Sequence, residues 1–213
     1  MSEILIHWKS RLIAIAVTEQ ENDGAHDVQH LHRVWKVAQI LLEENPRADP
    51  MIVQAACYLH DLVNLPKYHA DRAQASMLAA RLACEKLARI DFPSEKIPGV
   101  AHAIEAHSFS ATIAPTTIEA MIVQDADRLD ALGAVGLARL FYTAGRMGAA
   151  LAHPTDPLGL HRPFDDRHFA LDHIEVKLTK LAASMQTAGA RKIGEARLQL
   201  LRTFHQQFVA EWD

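Results

Sequence analysis

Four residues within the first 130 positions could together bind a divalent metal ion: His30, the adjacent pair His60-Asp61, and Asp127. Metal binding requires lone pairs, which neutral imidazole nitrogens and ionised carboxylates supply. Each of the four lies within or at the end of an apolar, helix-like segment, where a polar side chain without a partner would be costly. A shared metal ion is the simplest reason for that placement.

The types of these side chains narrow the choice of metal ion. Two histidines and two aspartates leave one or two positions open on a five- or six-coordinate ion. Mixed nitrogen and oxygen ligation suits Mn, Fe, Co, Ni or Zn better than calcium or a thiolate-bound structural zinc. Asp125 is a rival to Asp127 for the last position, because both share a helix face with apolar residues. Helical periodicity therefore does not decide whether Asp125 or Asp127 is the last ligand.

The elements that must position these residues all read as helices. Asp49-Pro50 is typical of a helix start, with Asp49 as N-cap and Pro50 at the first helical position. Ser94 is expected to cap a later helix that ends at His107. The pattern predicts an all-α bundle of roughly nine helices, over about 3–20, 28–44, 50–60, 72–90, 95–107, 115–132, 134–150, 167–186 and 190–212.

Length and composition predict a single domain over residues 1–213, since 49% of the 213 residues are hydrophobic and can form one substantial core. We expect its core at about 26–150 and C-terminal helices over 167–212. The segment 152–167 contains three prolines and is expected to be a loop. Loops of that length are often functional, so it could be a lid that contributes Arg162 and Phe164, or else a surface connector.

Charge and cysteine content exclude several classes of protein. The net charge of −4 gives no electrostatic reason to expect binding to a nucleic acid polymer. Cys57 and Cys84 both fall in helical patterns rich in Ala and Leu, which favours reduced core thiols. No signal pattern and no membrane-spanning apolar run is present, so we expect a cytoplasmic protein without membrane partners. The oligomeric state cannot be read from these features.

The specific signal is the ordered motif set with its flanks, together with two further stretches. The motifs are His30-Leu31-His32-Arg33-Val34, Ala56-Cys57-Tyr58-Leu59-His60-Asp61 and Asp125-Ala126-Asp127-Arg128-Leu129-Asp130, and the further stretches are Ala106-His107-Ser108 and Gly133-Ala134-Val135-Gly136. In these residues the chain resembles the HD-domain metal-dependent phosphohydrolase superfamily, and most of all its small, single-domain bacterial branch. The resemblance covers nearly the whole chain, and it implies an HD-domain helical bundle with a metal site at its centre.

The resemblance also implies roles for individual residues. It assigns His30, His60, Asp61 and Asp127 as ligands of a divalent ion (Mn, Mg, Fe, Co, Ni or Zn). Asp125 would then orient a ligand histidine. One ion is expected, and a second, held by extra histidines as in some members, is the alternative. In the mechanism that such a site would support, Asp61 or a neighbouring carboxylate would accept a proton from the attacking water, and His107 would act as a general acid or contact the phosphate.

Cationic side chains must offset the charge that builds up on a transferring phosphoryl group. The candidates are Arg33, Lys67, Arg128 and Arg162, and Lys67, which follows Pro66, is also a candidate catalytic residue. Arg33 and Arg128 could equally form buried ion pairs with nearby aspartates. His26 could face the site or belong to a surface loop.

The predicted function is hydrolysis of a phosphate ester of a nucleotide or other small phosphorylated metabolite by metal-activated water. The alternative is a nucleotide-binding or sensor protein that keeps the HD metal site without turnover.

Overall fold

The part of the chain that the structure describes is mostly helical. The computed structural model describes residues 3–19, 28–63, 65 and 71–212, and within these ranges it contains nine α-helices and no β-strand. An isolated parallel bridge between Ala150 and Phe169 is the nearest approach to a strand among these residues. The prediction of an all-α fold with about nine helices is confirmed.

The described chain divides into two compact units, Met1–Asp127 and Arg128–Asp213. The first contains α1 (Glu3–Glu19), α2 (Val28–Glu44), α3 (Pro50–Leu59), α4 (Ala75–Arg89), α5 (Ile97–His107) and most of α6 (Ile118–Asp130). In this unit α3 packs against α1, α2 and α5. Residues 51–59 of α3 are all buried except Ile52. A helix covered on all sides is apolar all round, and this one leads directly into His60-Asp61.

The start of α3 follows the predicted capping chemistry. Asp49 is the N-cap, and its Oδ1 accepts hydrogen bonds from the backbone N–H groups of Met51 at 2.9 Å and Ile52 at 3.4 Å. Pro50 occupies the first turn, where no N–H is needed. The other carboxylate oxygen of Asp49 pairs with Lys96. The N-cap prediction is confirmed, and α3 is anchored at the end opposite His60.

Two predicted helix starts differ from those of the structure. Ser94 lies in a short 3₁₀ turn over 94–96, and no side chain caps that turn or α5. The helix predicted from Pro115-Thr116 begins only at Ile118. There, His102 Nε2 accepts the backbone N–H of Thr116 at 3.0 Å, which holds this residue outside the helix.

The second unit consists mainly of α7 (Gly133–Arg146), α8 (Thr179–Ala183) and α9 (Ala188–Trp212). α7 packs on α9, where Phe141 contacts the rings of Phe204 and Phe208 at centroid distances of 5.7 and 6.1 Å. α7 begins at Gly133, whose φ of +76° lies in the left-handed region that favours glycine.

The helix predicted over 167–186 forms only in the central part of that range. It comprises a π-helix at Ile174–Leu178 followed by α8. Before it, the N–H of Ala150 donates to the carbonyl of His168 and the N–H of Ala170 donates to the carbonyl of Ala150, each at 2.8 Å. These bonds pair Phe169 with Ala150 in the isolated bridge, and the residues on either side of Phe169 form turns. The single-domain boundary of 1–213 stays a prediction.

Candidate metal centre

Three helices of the first unit bring the predicted ligands together. His30 lies in the first turn of α2, His60 and Asp61 directly follow α3, and Asp127 lies on α6. His107, the last residue of α5, joins them. The Nε2 atoms of His30 and His60 are 3.2 Å apart. Five side chains with ligand atoms therefore meet at one end of α3.

The carboxylates flank this histidine pair at similar distances. Asp61 Oδ2 lies 3.6 Å from His30 Nε2 and 3.5 Å from His60 Nε2. Asp127 Oδ1 lies 3.5 and 3.6 Å from the same two nitrogens. Adjacent ligands on one ion with bonds of about 2.1 Å are separated by roughly 3.0–3.4 Å. The histidine–histidine distance of 3.2 Å falls in that range and the histidine–carboxylate distances of 3.5–3.6 Å lie slightly above it, so these side chains could hold a divalent ion.

Two overlapping groups of potential ligands can be drawn among the described residues. One is His30, His60 and Asp127, and the other is His60, Asp61 and His107; within each group the ligand atoms lie within 4.8 Å of one another. His60 belongs to both. These His/Asp clusters could hold a metal ion, and the choice between one ion and two stays a prediction.

Backbone carbonyls orient two of the imidazole rings. His60 Nδ1 lies 3.0 Å from the carbonyl of Cys57, and His107 Nδ1 lies 2.5 Å from that of Ile104. A carbonyl can only accept, so Nδ1 carries the proton in both rings. In the neutral ring the Nε2 lone pair is then left for the cluster, and such bonds commonly fix the tautomer of a metal-ligating histidine.

Electrostatics couple the same groups. Burial by itself would lower the pKa of His60, but Asp61 and Asp127 outweigh it and raise that pKa to about 9. Burial would raise the pKa of Asp127, yet His60 and the neighbouring imidazoles hold it well below its usual range. The pKa of His107 is lowered by burial and by the charge of His60. Without a metal ion, a protonated His60 therefore supplies the positive charge that balances the two carboxylates.

Exposure divides the cluster into a buried half and an open half. His30 and His60 are each 1% exposed, whereas the side chains of Asp61 and Asp127 are 18% and 28% exposed. The imidazoles are therefore held in the core. The carboxylates form the face that a small molecule from solvent can reach.

Comparison with known proteins identifies this arrangement. Residues 27–132, which include all five side chains of the cluster, match the model of the HD domain. The protein YpgQ of Bacillus subtilis strain 168 is 32% identical over 196 residues, which cover 90% of this chain and 86% of YpgQ. The chain belongs to the HD-domain family.

Two solved structures of this family resemble the protein along nearly its whole length. An HD-superfamily hydrolase from Bacillus thuringiensis is 30% identical, with a TM-score of 0.73 and 98% of each chain covered. The structure of B. subtilis YpgQ in complex with ADP is also 30% identical, with a TM-score of 0.72 and 95% of each chain covered. The predicted membership of the HD superfamily is confirmed, and with it the general class of hydrolase.

The two candidate aspartates of α6 lie in different surroundings. Asp127 belongs to a potential ligand group, whereas Asp125 is fully buried and belongs to neither group among the described residues. The geometry is thus consistent with Asp127 as the HD-type ligand. His102, also on α5, belongs to neither group and instead contacts Thr116. The ligand assignments themselves stay predictions.

The cationic residues predicted to bind substrate lie in different surroundings. Arg33 is partly buried on α2. Arg128 follows Asp127 on α6 and donates to the hydroxyl of Ser184 at 2.8 Å and to its carbonyl at 3.3 Å. Lys67 lies outside the described residues, as does His26. Their roles in substrate binding stay predictions.

The predicted lid segment, 152–167, is held by polar contacts within the segment and with Asp172. Arg162 binds the carboxylate of Asp172 through two nitrogens, at 2.6 and 2.8 Å, and its guanidinium lies 4.9 Å from the ring centroid of Phe169. Asp156 accepts the backbone N–H groups of Leu160 and His161 at 3.0 and 2.9 Å. A phosphate ligand would have to compete with Asp172 for Arg162, and the lid role stays a prediction.

Two buried polar residues support the cluster although the motif pattern does not single them out. Gln124 on α6 donates to the carbonyl of Ala106 at 2.6 Å, and Ser76 on α4 donates to that of Glu105 at 3.0 Å. Both side chains are almost fully buried. A polar residue in an apolar helix one turn before Asp127 is the signal that could have indicated Gln124.

None of the helices in the described ranges is both long enough and apolar enough to cross a membrane.

Proposed function

We propose that this protein is a metal-dependent phosphohydrolase that cleaves a phosphate ester of a nucleotide or other small phosphorylated metabolite. The observation that carries the proposal is the close approach of the His30 and His60 Nε2 atoms, which lie 3.2 Å from each other and 3.5–3.6 Å from carboxylate oxygens of Asp61 and Asp127. Four such ligands leave positions on a five- or six-coordinate ion for water and a phosphate oxygen. A site that serves only structure would have its coordination closed by protein.

In this proposal His30, His60, Asp61 and Asp127 hold the ion. A divalent ion bound there would supply Lewis-acid chemistry, polarising a phosphoryl oxygen and lowering the pKa of a water molecule. The carboxylate of Asp61 is partly exposed, and it or a neighbouring carboxylate would accept the proton of the attacking water.

His107 is the proposed partner of Asp61 in proton transfer. Its Nε2 lies 3.9 Å from Asp61 Oδ1, which is longer than a hydrogen bond. Catalytic hydrogen bonds often tighten only when substrate binds. Because burial lowers its pKa, His107 is neutral near pH 7 and can accept a proton there. It would then deliver a proton to the leaving oxygen or contact the phosphate.

The substrate class rests on chemistry and on one relative. Arg33, Lys67, Arg128 and Arg162 are the proposed sources of positive charge for the phosphate groups. YpgQ, which covers most of this chain, has been solved in complex with ADP. A nucleotide is therefore the first substrate class to test.

The same relative is also compatible with a second function, that of a nucleotide sensor. A complex with ADP fits equally a protein that binds a nucleotide and senses it without turnover. This reading requires nucleotide binding but no release of phosphate, so a direct activity measurement separates the two.

The test pairs metal analysis with a substrate screen. Purified protein is assayed by elemental analysis, and phosphate release is measured across nucleotides and sugar phosphates with Mn, Mg, Co or Ni added. We expect bound metal and hydrolysis confined to a few substrates. In the double variant His60→Ala, Asp61→Ala, both should fall to background.

The matched control removes the same kinds of side chain from an exposed helix face. The double variant Glu3→Ala, His7→Ala in α1 takes away an exposed carboxylate and an exposed imidazole, and it should keep metal and activity. Full metal occupancy in the His60/Asp61 variant would defeat the site assignment. Metal with nucleotide binding but no turnover of any substrate would favour the sensor.

A further inference from the structure

The C-terminal end of α5 is held by side chains to an unusual extent. The last carbonyls of a helix have no partners within it. In α5, the carbonyl of Ile104 accepts from His107 Nδ1, that of Glu105 from Ser76 and that of Ala106 from Gln124. Three successive backbone acceptors are therefore each bound by a different side chain.

These bonds substitute for a backbone cap. After His107 the chain continues through Ser108 with φ −71° and ψ 128°, an extended conformation rather than the left-handed one of a glycine cap. The terminal carbonyls consequently depend on side chains. Ser76 and Gln124 are each 2% exposed, so water does not replace them readily.

The two donors, Ser76 and Gln124, come from different helices, so their hydrogen bonds link the end of α5 to both of those helices. Ser76 lies at the start of α4, and Gln124 lies on α6, three residues before Asp127. Gln124 thus ties the backbone next to His107 to the helix turn that carries a predicted ligand. His107 in turn directs its Nε2 at Asp61, 3.9 Å away.

We propose that Gln124 and Ser76 are positioning residues that set the reach of the His107 imidazole toward Asp61. The proposal rests on the proposed function, since it assigns their purpose to the proton transfer of that site. Neither residue touches substrate or metal. They act through the backbone of the last turn of α5, which would otherwise fray and let the ring of His107 drift.

The decisive experiment is an activity cycle between Gln124 and His107. Gln124→Met keeps the length of the side chain and removes the amide that binds Ala106. We expect kcat to fall about tenfold or more with KM within about twofold, because small misplacements of a reacting group cost that much. In a His107→Ala background the same substitution should cost no further activity. Ser76→Ala should behave in the same way with a smaller loss.

Gln54→Met is the matched control. Gln54 is also a buried glutamine of the first unit, on α3, and its side-chain amide has no hydrogen-bond partner within the described part of the chain. Its replacement should leave kcat unchanged. A loss of kcat in Gln124→Met that persists fully when His107 is already alanine would overturn the positioning role, and so would no loss beyond that of Gln54→Met.

A second readout keeps the test independent of turnover. In ¹H–¹⁵N spectra of histidine side chains of the metal-free protein, His107 should show one tautomer with Nδ1 protonated. Gln124→Met should average that signal and leave the signal of His60 unchanged, and His107→Ala identifies which signal is which. If no substrate is turned over, an averaged signal would support the positioning role of Gln124 while the proposed function fails. An unchanged His107 signal would overturn that positioning role.

Discussion

The affinity for metal should depend steeply on pH, because a proton and a metal ion compete for His60. A ligand histidine must be neutral to bind a metal ion. In the metal-free protein, however, Asp61 and Asp127 raise the pKa of His60 to about 9. His60 therefore carries a proton throughout the range from pH 6 to pH 8, and the ion must displace it. Because that displacement becomes less favourable as the proton concentration rises, the apparent affinity falls as the pH falls.

The magnitude follows from that pKa. Competition by one proton weakens binding by a factor of 1 + 10^(pKa − pH), which is about 10 at pH 8, about 100 at pH 7 and about 1,000 at pH 6. The apparent Kd should thus rise about tenfold for each pH unit, or about 1.4 kcal/mol. Asp127 and His107, with lowered pKa values, are already in their metal-binding forms and add no proton release.

Calorimetric titration of the chelator-treated protein with Mn²⁺ at pH 6, 7 and 8 measures this dependence. Repeating each titration in two buffers of different ionisation enthalpy counts the protons released, and we expect about one per ion. The exposed double variant Glu3→Ala, His7→Ala should give the same slope. A Kd that changes less than twofold between pH 6 and pH 8, with no proton release, would refute the coupling between His60 and the carboxylates.

Two further substitutions test the supports of the fold. Asp49→Ala removes the side-chain cap of α3 and should cost about 1 kcal/mol, seen as a fall in Tm of about 2–4 °C; an unchanged Tm would mean that the cap adds nothing. Arg162→Ala leaves the fully buried carboxylate of Asp172 without its guanidinium and should cost about 3 kcal/mol in the free energy of unfolding. Urea titration measures that loss, and an increase of less than about twofold in KM for the best substrate would retire the lid role of this loop.

Local chemistry explains what could be predicted from the sequence. The start of α3 was predictable because the Asp49 carboxylate and the Pro50 ring act on residues one to three positions away. The all-α class was predictable because apolar residues recur with helical spacing. The candidate metal ligands could be picked out for a different reason: histidines and aspartates inside apolar helices need a partner, and few partners suit all of them.

The tertiary structure decided the contacts between residues that no local pattern links. His102 binds Thr116, 14 residues away, and keeps it outside α6. Gln124 binds the end of α5, 18 residues away. Arg162 forms an ion pair with Asp172. The periodicity that predicts a helix does not report which buried side chain meets which carbonyl. The residue types of the metal centre were therefore determined by the sequence alone. The supports that hold those residues at 3.2–3.6 Å were decided only when the helices packed, because a hydrogen bond depends on the position of two atoms in space and not on their distance along the chain.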